Sequence, residues 1–128
     1  MSALVIDSSA WVSYFDARGE VEIDSALEEG RVIIPPIVAA ELLSGRFTAR
    51  QRAEMESFLA DLPVFEADLG HWFRVGRLRA ALRARGISVS TPDAHVGQCA
   101  MDLGALLLSE DRIFRLMAKH APLRLFEP

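Results

Sequence analysis

Three aspartates lie at positions where they could act together on one ligand. Asp7 follows the apolar run ALVI, Asp111 follows the run ALLL, and Asp93 lies in the segment VSTPDAHVG. In an open parallel sheet, ligands bind beyond the carboxyl ends of the strands. Taken singly, each aspartate also fits the start of a helix, where acids are enriched. The candidate capping residues at these starts are Asp7 or Ser8, Thr91 and Ser109.

A fourth acid, Glu41, lies in the apolar segment PPIVAAELLSG. On a helix it falls between Ile37 and Val38 in projection, so we expect it on the inward face, too far along to cap the N-terminus. A buried carboxylate is costly unless it is paired, protonated or bound to a cation. A salt bridge to an arginine is the alternative to a functional role.

The four acids are more informative together than singly. If the sheet is parallel, the three aspartates converge on one edge, and a helix entering from that edge brings Glu41 to them. Four neighbouring carboxylates raise one another's pKa values unless a divalent cation compensates. Ligation by oxygen alone suits Mg²⁺ or Mn²⁺. The pattern therefore predicts a magnesium or manganese site.

Other site chemistries have less support in the sequence. His71, His95 and His120 show no metal-ligand spacing, and we expect them on the surface or hydrogen-bonded in the core. Cys99 is the only cysteine, which favours a reducing, intracellular setting, and we expect it to be a small buried apolar residue. The chain has no Gly-rich phosphate loop, GxSxG elbow or CxxC pair.

Short apolar runs alternate with segments of helical period. The runs at 3–6, 32–34 and 105–108 are typical of strands buried on both faces, with weaker candidates near Val64 and in LRLF near the C-terminus. This alternation predicts an α/β fold with a mainly parallel sheet covered on both faces by helices. The predicted helices are 9–16, 21–29, 36–43, 48–62, 68–85, 92–103 and 111–119.

The length and composition suit one folded domain spanning residues 1–128. Hydrophobic residues make up 51% of the chain and charged residues 25%. The net charge of −4 argues against broad binding of nucleic acid through overall charge. We find no basic leader and no apolar run of membrane-spanning length, so we expect a cytoplasmic protein.

The helix predicted at 68–85 has an apolar stripe bordered by arginines, with Gly86 as a plausible C-cap. Two interpretations stay open for these arginines: a solvated helix face, or a surface that binds phosphate or a partner. The stripe comprises Val75, Leu78 and Leu82, and the bordering arginines are Arg74, Arg77, Arg79 and Arg83.

The four acidic segments resemble the successive motifs of PIN-domain (PilT N-terminus) ribonucleases, in particular the VapC toxins of bacterial toxin–antitoxin pairs. The segments are VIDSSAWVSYF, PPIVAAELLSG, ISVSTPDAHVGQCA and ALLLSEDRIF. The resemblance implies a PIN-like three-layer α/β sandwich and a Mg²⁺- or Mn²⁺-dependent endoribonuclease. Its catalytic, metal-binding acids would be Asp7, Glu41, Asp93 and Asp111. It also implies an RNA substrate, a VapB-like antitoxin that covers the active site, and a homodimer.

Two hydroxyl groups flank the acids. Ser9 corresponds to the polar position after the first aspartate of the family. Ser109 departs from the family, which commonly has threonine there, but it keeps the hydroxyl, so we expect little effect. In the implied mechanism the three aspartates hold one or two cations that polarise the phosphate, while Glu41 orients the attacking water or holds the metal network. Arg46 and Arg112 are candidates for contacts with the RNA backbone.

Two other classes of protein are compatible with an α/β chain of this size. A metal-dependent phosphotransfer or receiver-like domain needs Asp-x-Asp after the first strand, or an acid pair with a late lysine. Here the first strand leads into DSSA, and Lys119, the only lysine, comes too late. A catalytically idle PIN-like binding module is disfavoured, because an idle site would be free to lose an acid that is costly to bury.

Overall fold

Three short parallel strands form the central sheet of the computed structural model, which describes residues 2–18 and 21–127. The strands lie in the order β1 (Leu4–Ile6), β2 (Leu106–Leu108) and β3 (Arg124–Leu125). Leu4 pairs with Leu106 and Ile6 with Leu108. The predicted parallel α/β architecture is therefore confirmed, and the carboxyl ends of β1 and β2 lie side by side.

The strand predicted at 32–34 forms only two single parallel bridges. Val32 pairs with Leu4 of β1, and Ile34 pairs with Val64 on the other side. Pro35 and Pro36 follow immediately and have no N–H to continue a ladder. The segment thus widens the sheet beyond β1 without becoming a full strand.

Seven α-helices pack around this sheet in the described part of the chain, as the periodicity predicted. A π-helical turn, Tyr14–Arg18, continues the first helix. Thr48 and Gln51 form a reciprocal capping box at the start of the fourth helix, and the Asp68 carboxylate accepts from the His71 N–H (2.8 Å) at the start of the fifth. The helices are α1 Ser8–Ser13, α2 Val21–Glu28, α3 Pro36–Leu43, α4 Ala49–Ala60, α5 Leu69–Ala84, α6 Thr91–Leu103 and α7 Ile113–Ala118.

Helix α6 is the central helix of the fold. It contacts β1 and β2 as well as α5 and α7, and seven consecutive residues from Ala94 to Ala100 are buried. At Gly97 the Met117 side chain of α7 comes so close that a β-carbon would lie 2.4 Å from its sulfur. Because it is enclosed on every side, α6 holds its first turn in a fixed position beside the sheet.

Trp11, Phe114 and Leu107 are among the fully buried side chains at the centre of the core. No helix in the described ranges combines the length and the apolar character that crossing a membrane requires. The stripe predicted on α5 is confirmed, since Val75 and Leu82 are buried and Leu78 packs against the core.

Candidate active site

Asp7 lies at the carboxyl end of β1 with its side chain buried, at 5% exposure. Its N–H donates to the carbonyl of Leu108 (2.9 Å), which fixes it beside the end of β2. The hydroxyls of Ser9 and Ser109 both donate to Asp7 Oδ2, over 3.0 and 2.9 Å. Asp7 occupies the N-cap position of α1 but makes no side-chain cap bond. Capping therefore does not account for this buried carboxylate.

The first turn of α6 carries Asp93, and here the predicted cap was wrong. Ser90, not Thr91, is the N-cap: its Oγ accepts from the Asp93 N–H over 3.2 Å, while Thr91 and Pro92 are the first two helical residues. The Asp93 carboxylate is consequently not needed as a cap. Partial burial raises its pKa, as do the charges of Asp111 and Asp7, and a hydrogen bond from Ser90 offsets part of this rise.

Glu41 is exposed at the edge of α3, which corrects the prediction that it faces inward. The buried face of α3 is carried by Val38 and Leu42. At about 100° per residue, Glu41 lies roughly 80° from the centre of that face, where the helix borders the cleft. Partial desolvation raises the pKa of Glu41, and so do the charges of Asp7 and Asp93, while Ser8 lowers it.

Asp111 follows β2 and precedes α7, and its side chain is exposed. Its Oδ1 accepts from the Ile113 N–H (3.1 Å), and its own N–H donates to Ser109 Oγ (3.0 Å). These local bonds keep residues 111 and 112 out of the helix predicted at 111–119, so that α7 begins at Ile113. They also hold Asp111 close enough for its charge to raise the pKa of Asp93.

One cleft of 690 Å³ is lined by all four predicted acids, together with Ser8 and Ser9. The structure therefore brings the predicted acids together, with Ser109 bridging Asp7 and the Asp111 backbone. Apolar side chains line the same cleft as the acids. They are Val12, Phe15, Leu42, Phe47 and Met55.

Among the described residues, no cationic side chain lines the cleft beside the four carboxylates. The ion pairs found in the described ranges involve other acids, namely Glu29, Glu54 and Asp102, so the arginine partner considered for Glu41 is not among them. Mutual repulsion with no balancing side-chain charge is the condition in which a hard divalent cation stabilises a carboxylate cluster. The donor set, which is oxygen only, fits Mg²⁺ or Mn²⁺.

Comparison with known proteins assigns the chain to a family. A family model described as PIN domain matches residues 4–120. The chain belongs to the PIN-domain family. It is 32% identical over 123 residues to Ribonuclease VapC11 of Mycobacterium tuberculosis and to VapC ribonuclease Mb1587 of Mycobacterium bovis, covering 91% of this chain and 92% of each relative.

Solved structures share the fold of this PIN domain. The DNA-bound VapBC of Salmonella typhimurium superposes with a TM-score of 0.80 at 22% identity, covering 98% of both chains. VapBC-5 of Mycobacterium tuberculosis superposes with a TM-score of 0.74 at 22% identity over the full length of both chains. The resemblance read from the four motifs is thereby confirmed.

The arginines of α5 in this PIN domain have internal partners in two cases. Arg74 forms an ion pair with Asp102 (2.8 Å), and Arg79 Nε donates to the carbonyl of Val89 (2.9 Å). These two arginines therefore have partners within the chain, while Arg77 and Arg83 are exposed and both interpretations of the sequence stay open for them. Arg46 and Arg112 are exposed, and neither lines the cleft. Their contact with RNA stays a prediction.

A buried polar cluster between α5 and α6 was only partly foreseen. His71 and His95 are hydrogen-bonded in the core, as one of the expectations held, but they lie against each other and next to Cys99. Burial and His71 lower the pKa of His95 to about 4, and burial and Asp102 raise the pKa of Cys99 to about 12, so both are neutral at pH 7. The i, i+4 spacing of His95 and Cys99 was a visible signal. The partner on α5 was not, because sequence does not give the register of two packed helices.

Proposed function

We propose that this PIN domain is a divalent-cation-dependent endoribonuclease and the toxin of a type II toxin–antitoxin pair. The observation that carries the proposal is the convergence of four carboxylates from distant segments in one cleft. Two relatives that cover most of the chain are named as VapC ribonucleases. RNA is proposed as the substrate from the names of these relatives, and metal-assisted hydrolysis is proposed from the acidic cleft.

The proposed cation ligands are Asp7, Asp93 and Asp111, with Glu41 beside them. A bound Mg²⁺ or Mn²⁺ would polarise the phosphate and lower the pKa of a coordinated water. Because Ser9 and Ser109 both donate to one oxygen of Asp7, they hold that carboxylate in a fixed orientation.

We assign Glu41 the role of orienting the attacking water and accepting its proton. Its raised pKa makes it a better base than an ordinary glutamate. Water then attacks phosphorus, the bond to the leaving oxygen breaks, and the proton held by Glu41 becomes available to the product. The shared exposure of Glu41 and Asp111 on the cleft leaves room for a phosphodiester to reach these groups.

A VapB-like antitoxin is the proposed protein partner. Solved structures of similar fold include VapBC assemblies, two of them bound to DNA. The apolar wall formed by Val12, Phe15, Phe47 and Met55 borders the acids, so a segment bound to it would also block the cleft. A homodimer stays the expected assembly, which light scattering on the purified chain measures.

Cleavage of RNA by the purified chain, freed of any antitoxin, tests the enzyme. We expect cleavage with Mg²⁺ or Mn²⁺, none with EDTA, and a loss of about 10²-fold or more in Asp93→Asn. Asp61→Asn is the matched control, because Asp61 is exposed at the end of α4, away from the cleft. Full activity of Asp93→Asn and Asp7→Asn would refute the site. An RNA-inert wild-type chain that still binds its antitoxin would favour the idle binding module.

A further inference from the structure

Three potential metal ligands meet in the core between α5 and α6, outside the acidic cleft. His71 Nε2 lies 2.7 Å from His95 Nδ1, and Cys99 Sγ lies 4.0 and 3.8 Å from these two nitrogens. All three side chains are buried, with exposures of 1%, 3% and 0%. Each offers one ligand atom, and these atoms lie within 4.8 Å of one another.

A carboxylate supports this group from outside. Asp102 Oδ2 accepts from His71 Nδ1 (2.7 Å), and Arg74 donates to both oxygens of Asp102 over 3.0 and 2.8 Å. In the tautomer that carries its proton on Nδ1, the lone pair of His71 Nε2 points toward His95 and Cys99. A histidine whose second nitrogen donates to a carboxylate is the usual form of a metal-ligating histidine.

We propose that His71, His95 and Cys99 form a Zn²⁺ site, separate from the proposed Mg²⁺ or Mn²⁺ site. Two imidazoles and one thiolate are ligands that select zinc over the harder cations suited to a carboxylate cluster. Three protein ligands leave the fourth position of a tetrahedral zinc to water. On binding, the proton between the two imidazoles would move to His95 Nε2, which keeps that imidazole neutral, and the thiol proton of Cys99 would be released to solvent.

The displacements that zinc requires are small. With Zn–N near 2.0–2.1 Å, Zn–S near 2.3 Å and tetrahedral angles, the two nitrogens should lie about 3.3 Å apart and the sulfur about 3.6 Å from each. The nitrogens at 2.7 Å must therefore separate by about 0.6 Å, and Cys99 Sγ must approach by about 0.2–0.4 Å. Both imidazole rings must also rotate, because their nitrogens now point at each other and a shared zinc lies off the line that joins them.

Two aromatic side chains lie against the site. The ring of buried Phe65 has its centroid 5.0 Å from that of His71, and the Trp72 ring stacks on His95 with centroids 4.4 Å apart and an interplanar angle of 13°. Trp72 is 42% exposed, so it is the ring whose displacement would admit a cation. Once bound, zinc would join α5 to α6 two residues after Asp93, and so brace the helix that carries this acid.

Cobalt absorption provides a specific test, because Cys99 is the only thiol in the chain. The full chain is stripped of metal, refolded with Co²⁺ or Zn²⁺, and assayed for metal content and for the near-ultraviolet thiolate-to-cobalt band. We expect one thiolate-bound Co²⁺ per chain, displaced by Zn²⁺. The band should persist in Asp7→Asn, which alters only the acidic cleft, and in His120→Ala, which removes an exposed histidine.

Two variants separate the zinc site from simple packing. Cys99→Ser keeps the side-chain size, and we expect it to fold, to lose the band and to lose the rise in Tm that Zn²⁺ gives the wild type. Asp102→Asn should keep the band but bind Zn²⁺ about 10–100-fold more weakly. If the refolded wild type binds Co²⁺ without a thiolate band, or binds no metal, the site is refuted and the cluster is a hydrogen-bonded network only.

Discussion

Replacing Asp102 with asparagine should destabilise the protein in a pH-dependent manner. Asp102 Oδ1 accepts from Arg74 Nε (3.0 Å) and Gln98 Nε2 (2.9 Å), and Oδ2 accepts from Arg74 Nη2 (2.8 Å) and His71 Nδ1 (2.7 Å). An amide nitrogen at either position would face two nitrogen atoms. Asparagine therefore removes the charge and at least one of the four hydrogen bonds that Asp102 accepts, three of which come from α5 and one from Gln98 of α6 itself.

The expected loss follows from the pKa of Asp102. Hydrogen bonds from Arg74, His71 and Gln98 outweigh the desolvation that opposes them and lower this pKa from 3.8 to about 2. At about 1.4 kcal/mol per unit, the difference corresponds to roughly 2–3 kcal/mol of stability. The Asp102 side chain is 16% exposed and that of Arg74 42% exposed, so solvent screening reduces the figure to about 1–2 kcal/mol.

Because the folded-state pKa of Asp102 is depressed, its contribution is present above pH 4 and is lost as the pH falls toward 2. Urea unfolding in EDTA at pH 7 and pH 3 measures it. We expect Asp102→Asn to be less stable than the wild type by about 1–2 kcal/mol at pH 7 and by roughly half as much at pH 3. Asp61→Asn should change stability little at either pH. Equal stability of Asp102→Asn and wild type at pH 7, or a difference independent of pH, would refute the argument.

Two further predictions concern packing and the acidic cleft. Gly97→Ala should destabilise the fold by about 1–2 kcal/mol, because its β-carbon would lie 2.4 Å from the sulfur of buried Met117 and the gain in helix propensity offsets only part of that overlap. At Gly76 an added β-carbon meets no atom within 4 Å, so Gly76→Ala should stabilise the fold by about 0.5–1 kcal/mol. Urea unfolding of both variants measures these changes. Equal changes in the free energy of unfolding for the two variants would contradict the packing argument. Glu41→Gln should lose RNA cleavage in the presence of Mg²⁺. In metal-free protein, its free energy of unfolding at pH 8 should be at least as large as that of the wild type. Because the pKa of Glu41 is raised in the folded protein, its ionisation lowers the stability of the wild type above that pKa. Any stability advantage of Glu41→Gln should therefore shrink as the pH falls through the pKa. A stability advantage that grows in acid would contradict this argument.

The sequence predicted most of the fold because its signals were local. The helix predicted at 68–85 is observed as Leu69–Ala84, between the Asp68 cap and Gly86, whose φ of +79° ends it. Asp7, Asp93 and Asp111 could be assigned to one cleft because each follows a strand or lies in the first turn of a helix at the same edge of a parallel sheet.

What the sequence did not predict depends on tertiary contacts. Glu41 lies at the border of a buried face whose width is set by the cleft, and no projection of α3 alone gives that width. The choice of Ser90 over Thr91 as cap is a matter of one residue at a helix boundary. The pairing of His71 with His95 depends on how α5 and α6 are aligned.

The pairing of β1 with β2 also determines when during synthesis the protein can become active. Leu4 of β1 cannot pair with β2 until Leu106 has been synthesised. Asp7 likewise lacks its second hydroxyl donor until Ser109 has been added. At about 5–20 residues per second, translation needs about 5–20 s to supply those hundred residues. A nascent chain shorter than this has neither the central pair of strands nor Asp111. The four acids therefore meet in one complete site only late in synthesis, after residue 111 has been added.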